Sequence, residues 1–197
     1  RARIALNLKG IAYEYISIDA GKEEHLGPDY LAINPQGLIP TLADGDHILT
    51  QSLAIIEYLE EIKPEPPFLP TDPVERARVR ALALIPDCEM HPIINRRIRE
   101  YIVNDLDLGH DAMIDWIGHW HGKGFETLEA MLGGSPYTGV FCHGDRPTLA
   151  DIFLVPQLEV ARRFETDLSP YPTVLRVEEA CRALPAFQAA MPENQPD

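Results

Sequence analysis

Gln51 and Ser52 stand directly before a segment in which Ile55, Ile56 and Leu59 recur at helical spacing. This spacing predicts a helix that begins with Ser52 as its cap. The first backbone amides of a helix have no partner within the helix, and the helix dipole favours negative charge beside them. Gln51, Ser52 and these amides therefore predict an anion-binding site that suits a ligand carboxylate.

The residues before this helix predict a tightly shaped loop. Ile39 precedes Pro40 between a Gly-containing loop and a short apolar run, a setting in which a cis peptide bond points the Ile39 backbone outward. A turn at residues 44–46 then separates residues 41–43 from residues 47–49, which is the pattern of a small β-hairpin. A turn proline alone or a capping serine alone is usually structural, and their joint spacing is what favours a binding site.

A second candidate site is basic. Residues 91–99 contain three arginines and no carboxylate, in a chain with 17 basic and 31 acidic residues and a formal charge of −14. His91 and Asn95 are four residues apart, so we expect them to share a helix face, with Arg96 beside Asn95 and a kink at Pro92. A kink leaves room for a ligand, whereas a solvated basic face is the structural alternative.

Charge and composition exclude several classes of protein. A strongly negative chain repels nucleic acids and anionic membranes over most of its surface. No apolar run approaches the ~20 residues of a membrane helix, which predicts a soluble protein. The three cysteines, Cys88, Cys142 and Cys181, are odd in number, far apart and without metal-ligand spacing, so they predict a reducing cytoplasm, no disulfide framework and no zinc site.

Two further groups resemble chemical sites only superficially. His119 and His121 lie two residues apart on a predicted helix and therefore point roughly 200° apart, so they cannot share one metal ion and are expected to be surface and packing residues. Cys88 lies between Asp87 and Glu89, whose charge disfavours a thiolate. We expect Cys88 to be inert and the chain to hold no metal.

The elements that position these residues fall into two domains. The first runs over residues 1–66, with a helix over residues 1–8, a strand over residues 13–18 and a short helix near residues 28–33, followed by the hairpin and the Ser52 helix. Prolines concentrated between residues 63 and 73 predict a stiff linker.

The second domain, residues 73–197, is predicted to be entirely helical. Thr148 and Asp151 form a capping box, in which the threonine hydroxyl caps the helix and the aspartate reaches back to the threonine amide. The predicted helices cover residues 74–102, 111–132, 149–164 and 174–184, with a short helix before Met191.

Residues 34–42 and 51–59 together resemble the glutathione transferase superfamily, whose thioredoxin-like domain carries this loop, cis-proline, hairpin and Gln-Ser helix start. Residues 51–59 look like the zeta class in particular. The resemblance implies an α+β thioredoxin-like N-terminal domain followed by an all-α helical-bundle C-terminal domain. It also implies that the first strand and a thiol-activating Ser-Ser-Cys-like loop, where the unknown catalytic residues are expected, precede Arg1.

The zeta-class resemblance also implies a function. The pattern His-Pro-Ile-x-Asn-Arg-Arg-Ile at residues 91–98, with residues 21–26, looks more like the maleylpyruvate isomerase members of the class than its maleylacetoacetate isomerases. It implies a glutathione-dependent cis–trans isomerase that converts maleylpyruvate to fumarylpyruvate in gentisate catabolism. Maleylacetoacetate isomerase, another zeta-class activity such as haloacid turnover, and a non-catalytic glutathione-fold binding protein remain open alternatives.

Site roles follow from the same resemblance, residue by residue. It implies that the backbone of Ile39 binds the cysteinyl part of glutathione and that Gln51 and Ser52 bind its γ-glutamyl carboxylate. His25 would reach the glycine end, although a lone loop histidine is usually just solvated. The further cofactor residues it implies are Gln36, His91 and Asn95.

A dicarboxylate needs local cations in so acidic a chain. Arg96 follows Asn95 on the helix that is expected to kink, and the resemblance implies that Arg163 matches an arginine of the zeta-class substrate site, so these two are the expected substrate residues. Arg97 and Arg162 are expected to be solvated. The expected partners are a small dicarboxylate substrate and a second copy of the chain in a homodimer, with no nucleic acid and no membrane.

Overall fold

The computed structural model describes residues 1–195. Two compact units divide the chain: residues 1–67 with the described residues from Leu184 onward, and residues 68–183. The end of the chain therefore groups with the first unit, which differs from the sequence division at residues 1–66 and 73–197.

The first unit contains α1 (Ala2–Lys9), a short 3-10 helix (Glu24–Leu26), α2 (Pro28–Ile33), β1 (Thr41–Asp44), β2 (His47–Thr50) and α3 (Ser52–Ile62). The strands β1 and β2 pair antiparallel with Asp44 opposite His47, which confirms the hairpin. Gly10 ends α1 in the left-handed conformation, which glycine adopts without a steric cost. Buried apolar side chains of α1 and α3 supply the core of this unit: Ile4, Ala5, Leu6, Ile55, Ile56 and Leu59.

The prediction of a strand over residues 13–18 is wrong, because the structure has no strand at these residues. The only ladder among the described residues joins β1 to β2, and residues 13–18 lie outside it. Alternating apolar residues favour an extended chain, but a strand is defined by the hydrogen bonds of a neighbouring strand. The alternation alone cannot supply that neighbour.

The second unit begins with α4 (Pro73–Leu84), and the single helix predicted over residues 74–102 is interrupted. A π-helical turn (Ile85–Met90), α5 (His91–Ile94), α6 (Arg96–Glu100) and a second π-helical turn (Tyr101–Asp105) follow. The chain leaves helical geometry at Asn95 (φ −66°, ψ 169°) and not at Pro92. Pro92 lies in the first turn of α5, where its missing N–H costs little.

Three longer helices complete this unit: α7 (Gly109–Gly133), α8 (Leu149–Arg163) and α9 (Pro172–Arg182). The capping box at Thr148 and Asp151 is confirmed. Asp151 Oδ2 accepts from the amide and the hydroxyl of Thr148 at 2.7 and 2.8 Å, and its Oδ1 accepts from the Cys142 amide at 2.9 Å. Burial raises the pKa of this fully buried carboxyl, and the hydrogen bonds oppose that rise.

The described chain ends with α10 (Pro185–Gln188) and a 3-10 turn (Pro192–Asn194). Two side chains of α1 hold this segment to the first unit, because Asn7 Nδ2 donates to the Ala186 carbonyl at 3.0 Å and Arg3 donates to the Ala190 carbonyl at 3.2 Å. The predicted tail helix is confirmed. No helix among the described residues is both long and apolar enough to span a membrane.

Candidate functional site

Asn34 and Tyr30 fix the loop that leads to Pro40. Both are buried, and both donate to the Leu38 carbonyl, from Asn34 Nδ2 at 2.6 Å and from the Tyr30 hydroxyl at 2.8 Å. Asn34 Oδ1 also accepts from the Gln36 amide at 3.1 Å. Because the side chains that hold this loop are themselves buried, the backbone after Leu38 is presented in one conformation.

The Ile39 backbone is open to a ligand. Its peptide bond to Pro40 is cis, as predicted, and Ile39 is 56% exposed. Within the described residues, neither its N–H nor its C=O takes part in a hydrogen bond. One donor and one acceptor are therefore available side by side, which suits the backbone of an extended peptide ligand.

Gln51, and not Ser52, is the N-cap residue of α3. Gln51 has a positive φ of 69°, an uncommon conformation for a residue with a side chain, so the helical geometry starts only at Ser52. The predicted Ser52 cap is therefore wrong: Ser52 lies inside the first turn. The first backbone bond of α3 runs from the Ile55 amide to the Gln51 carbonyl at 3.0 Å, which leaves the three preceding amides outside the helical ladder.

Gln36 and Gln51 meet in space although they are far apart in sequence. Gln51 Nε2 donates to Gln36 Oε1 at 2.7 Å, and both residues are exposed. This bond joins the Asn34 loop to the start of α3. Exposed amides, open backbone groups and a helix N-terminus together form an anion and peptide-backbone site, which fits a ligand with an α-amino-acid carboxylate.

His25 lies in the 3-10 turn, and its Nδ1 is buried without a hydrogen-bond partner in the described structure. Gly37 (φ +60°) packs closely on this turn, since a Cβ there would lie 3.2 Å from the His25 carbonyl oxygen and 2.9 Å from Leu26 Cδ2. Only glycine fits this approach, which brings the His25 turn against the loop of residues 34–40.

Asn95 does not share a helix face with His91. His91 begins α5, whereas Asn95 lies beyond its end and caps α6, its Oδ1 accepting from the Ile98 amide at 3.2 Å. Trp116 of α7 supports the break, because its Nε1 donates to the Ile93 carbonyl at 2.8 Å. The sequence pattern misses Trp116, since its partner lies on another helix.

The arginines after this break differ in their partners. Arg96 forms an ion pair with Glu100 one turn later, at 2.5 Å. Arg99 instead lies over the Phe164 ring, with its Cζ 4.9 Å from the ring centroid, and its Nε is buried without a hydrogen-bond partner in the described structure. A buried unpaired donor costs about 1–3 kcal/mol.

Arg163 directly precedes Phe164, the residue whose ring Arg99 covers. Burial and the positive charge of Arg163 both lower the pKa of Arg99, and Glu100 opposes them. Arg163 is exposed at the end of α8 and makes no hydrogen bond or ion pair within the described residues. The structure therefore places the predicted Arg163 next to Arg99, a residue that the sequence pattern did not single out within its basic cluster.

The sequence predicts that Arg97 and Arg162 are both solvated. Arg97 is exposed, but Arg162 is held by carboxylates. Nη1 and Nη2 of Arg162 both donate to Glu178, whose side chain is 4% exposed, and Nη1 also contacts Glu159. Arg182 contacts the same two carboxylates. The pairing raises the pKa of Arg162 and makes this group a structural ion-pair cluster.

Comparisons with known proteins identify the family. The model "Glutathione S-transferase, N-terminal domain" matches residues 1–67, and "Glutathione S-transferase, C-terminal domain" matches residues 122–185. The chain is 52% identical to the maleylpyruvate isomerase of Ralstonia, covering 100% of this chain and 93% of that protein. It also matches the holo structure of a maleylpyruvate isomerase described as a zeta-class bacterial glutathione transferase, with a TM-score of 0.98, 52% identity, and 100% and 92% coverage. The chain belongs to the zeta class of the glutathione transferases.

A second solved relative of this zeta-class chain carries ligands. The maleylacetoacetate isomerase of Methylobacterium extorquens, with bound malonate and glutathione, matches with a TM-score of 0.95 and 43% identity over 98% of this chain and 91% of that one. Glutathione is the cofactor of the family. The open Ile39 backbone and the free first turn of α3 fit such a ligand, because they offer it backbone partners and an anion site.

The remaining candidates in this transferase are buried or packed. His121 is fully buried, with Nδ1 2.8 Å from Thr166 Oγ1 and Nε2 3.1 Å from Gln157 Nε2, and burial lowers its pKa to about 4. His119 packs edge-on against Trp120. Cys142 and Cys181 are buried beside Asp151, and burial raises the pKa of both thiols, whereas Cys88 is exposed.

Proposed function

We propose that this chain is a glutathione-dependent cis–trans isomerase that converts maleylpyruvate to fumarylpyruvate, in the gentisate route of aromatic catabolism in the cytoplasm. The observation that carries the proposal is the open Ile39 backbone beside the unpaired first turn of α3. The 52% identity to a maleylpyruvate isomerase supports the substrate.

Each cofactor residue has a separate role in the proposal. The Ile39 N–H and C=O bind the cysteinyl backbone of glutathione, while Ser52, Gln51 and the amides of α3 hold its γ-glutamyl carboxylate. The further cofactor residues are Gln36, His25, His91 and Asn95. Bound glutathione supplies a thiolate that adds reversibly to the cis double bond and is regenerated in each turnover.

The substrate end needs cations, because maleylpyruvate is a dianion and the chain is strongly acidic. Arg163 is the favoured candidate, since it has no partner within the described residues. Arg96 is the weaker candidate, because Glu100 already neutralises it.

The deciding experiment assays the full-length protein on maleylpyruvate and on maleylacetoacetate, with and without glutathione. We expect isomerisation of maleylpyruvate only with glutathione, which is not consumed. A higher kcat/KM for maleylacetoacetate would identify the activity of the Methylobacterium extorquens relative instead. Glutathione binding without turnover of either acid would identify a non-catalytic binding protein.

Ser52→Ala tests the cofactor site. Losing one hydrogen bond to a carboxylate costs about 1.5–3 kcal/mol, so the KM for glutathione should rise roughly 10- to 100-fold. Thr50→Ala, which changes a hydroxyl at the neighbouring end of β2, is the matched control and should leave this KM unchanged. An unaltered glutathione dependence in Ser52→Ala would place the carboxylate elsewhere.

We also propose a homodimer. The exposed face of α4 carries an apolar stripe at helical spacing, in which Val74 is 74% and Leu84 38% exposed, with Ala77 and Ala81 between them. Light scattering should give twice the chain mass, and Ala81→Glu should shift it towards the monomer. A monomeric wild type at working concentration would refute the dimer.

A further inference from the structure

Arg99 is placed differently from every other arginine of α6. Arg96 and Glu100 lie one helical turn apart and pair with each other, and Arg97 is exposed. Arg99 instead lies over the face of Phe164, the residue that caps the C-terminus of α8. Phe164 itself packs against the apolar cluster around Ile94 and Ile117, so the ring that supports Arg99 is held in place.

Arg99 also has no carboxylate partner within the described residues. It has no hydrogen bond or ion pair within the described residues, and its partly buried guanidinium covers the ring of Phe164, the residue directly after a second cation, Arg163. In a protein with a formal charge of −14, two neighbouring arginines without a carboxylate partner leave unused donors on both sides. A guanidinium presents its donors in a planar fork that matches a carboxylate.

We propose that Arg99, supported by the Phe164 ring, binds a carboxylate of the substrate and forms a two-arginine dicarboxylate site with Arg163. Arg99 is then a specificity-determining residue, because it selects ligands that carry two negative groups over ligands that carry one. The assignment of this dicarboxylate to maleylpyruvate rests on the proposed function, whereas the anion site itself rests on the geometry of the second unit.

The pair suits a dicarboxylate better than a single anion for an electrostatic reason. Each bound carboxylate neutralises one arginine and also screens its repulsion with the other. A monoanion leaves one of the two cations uncompensated. The preference for a dianion over a monoanion is therefore the property that this pair controls, and simple packing of Arg99 on Phe164 would not change it.

The experiment measures inhibition constants for malonate and for acetate, and kcat/KM for maleylpyruvate at saturating glutathione. The variants are Arg99→Met, which keeps the length of the stem over Phe164, and Arg99→Lys, which keeps the charge but not the planar fork. Arg146→Met is the matched control, since Arg146 is exposed in the loop between α7 and α8 and has no hydrogen bond or ion pair within the described residues.

Wild type should prefer malonate over acetate by about tenfold or more, and Arg99→Met should lose most of this preference while kcat/KM falls roughly tenfold. Arg99→Lys should retain an intermediate preference, and Arg146→Met the full one. The KM for glutathione should stay the same in all three, and circular dichroism melting identifies any variant that has lost its fold.

Two failures are distinguishable. Wild type that binds malonate selectively but isomerises neither maleyl acid refutes the proposed function and leaves the two-arginine site standing. An active wild type whose folded Arg99→Met and Arg99→Lys variants keep the full malonate preference overturns the role of Arg99.

Discussion

Arg162 and Arg163 are neighbours in the sequence, yet they belong to two regions with opposite electrostatics. Between α8 and α9, Arg162 and Arg182 meet Glu159 and the buried Glu178, so each cation is paired. Between α6 and the end of α8, Arg99 and Arg163 have no carboxylate partner within the described residues. One region satisfies its charges internally, while the other keeps two unpaired cations, which we propose bind the ligand.

The difference shows what identifies a binding arginine. Each region contains two arginines from two different helices, so residue type and a count of arginines cannot separate them. What separates them is whether a carboxylate from another helix lies within reach. Arg96, Arg162 and Arg182 each pair with a carboxylate among the described residues, whereas Arg99 and Arg163 do not, although they lie close to the same Phe164 ring.

Acid should weaken the fold, because the buried His121 is held in its neutral form. The pKa of His121 is lowered to about 4, below its ordinary value of 6.5, so the unfolded chain takes up the proton first. The stability from neutral His121 is complete above pH 6.5 and is lost as the pH falls towards 4, by about 3 kcal/mol in total. Urea unfolding at pH 7, 6 and 5 checks this slope.

His121→Gln, which cannot titrate, is the control for that slope and should flatten it, although its stability at pH 7 is lower. An equally steep slope in His121→Gln would assign the acid sensitivity to other groups. Urea unfolding also defines the pH range, above about 6.5, in which the protein is fully stable. Variants of the two arginine regions should be compared within that range.

Arg163→Met breaks the unpaired region. Without this cation, kcat/KM for maleylpyruvate should fall roughly 10- to 100-fold, because one or two charge-assisted hydrogen bonds are lost. The KM for glutathione should barely change, and the free energy of unfolding should stay the same. A variant that mainly weakens glutathione binding would show that Arg163 does not hold the dicarboxylate.

Arg162→Met breaks the paired region, and its phenotype should be the reverse. It leaves Glu178 buried with only the longer contact to Arg182, so the free energy of unfolding should fall by about 1–2 kcal/mol. Activity per folded molecule should stay near that of wild type. If Arg162→Met and Arg163→Met behave alike, the contrast between the two regions is wrong.

Glu100→Gln sharpens the comparison by turning a paired arginine into an unpaired one. Arg96 would lose its carboxylate, and the local negative charge would fall, so malonate should bind about two- to fivefold more tightly. The small effect reflects the partial exposure of this ion pair. Glu89→Gln, an exposed change of the same charge, is the control and should leave malonate binding unaltered.

Much of the candidate cofactor site in the first unit could be predicted from the sequence. The cis bond before Pro40, the hairpin and the start of the α3 segment depend on residues within a few positions of each other. The capping box at Thr148 and Asp151 is local in the same way. The placement of Ser52 failed by one residue, because the positive φ of Gln51 is set by the packing of the loop and not by the residue type.

The sequence by itself determined the short-range features of this protein: turns, caps, helix periods and the density of arginines after His91. Only the tertiary structure decided which elements lie side by side. It placed the break at Asn95, where Trp116 holds the end of α5, and it separated the paired Arg96 from the unpaired Arg99. The physical reason is that a long arginine side chain reaches partners on other helices. Local sequence spacing does not determine the distance to those partners.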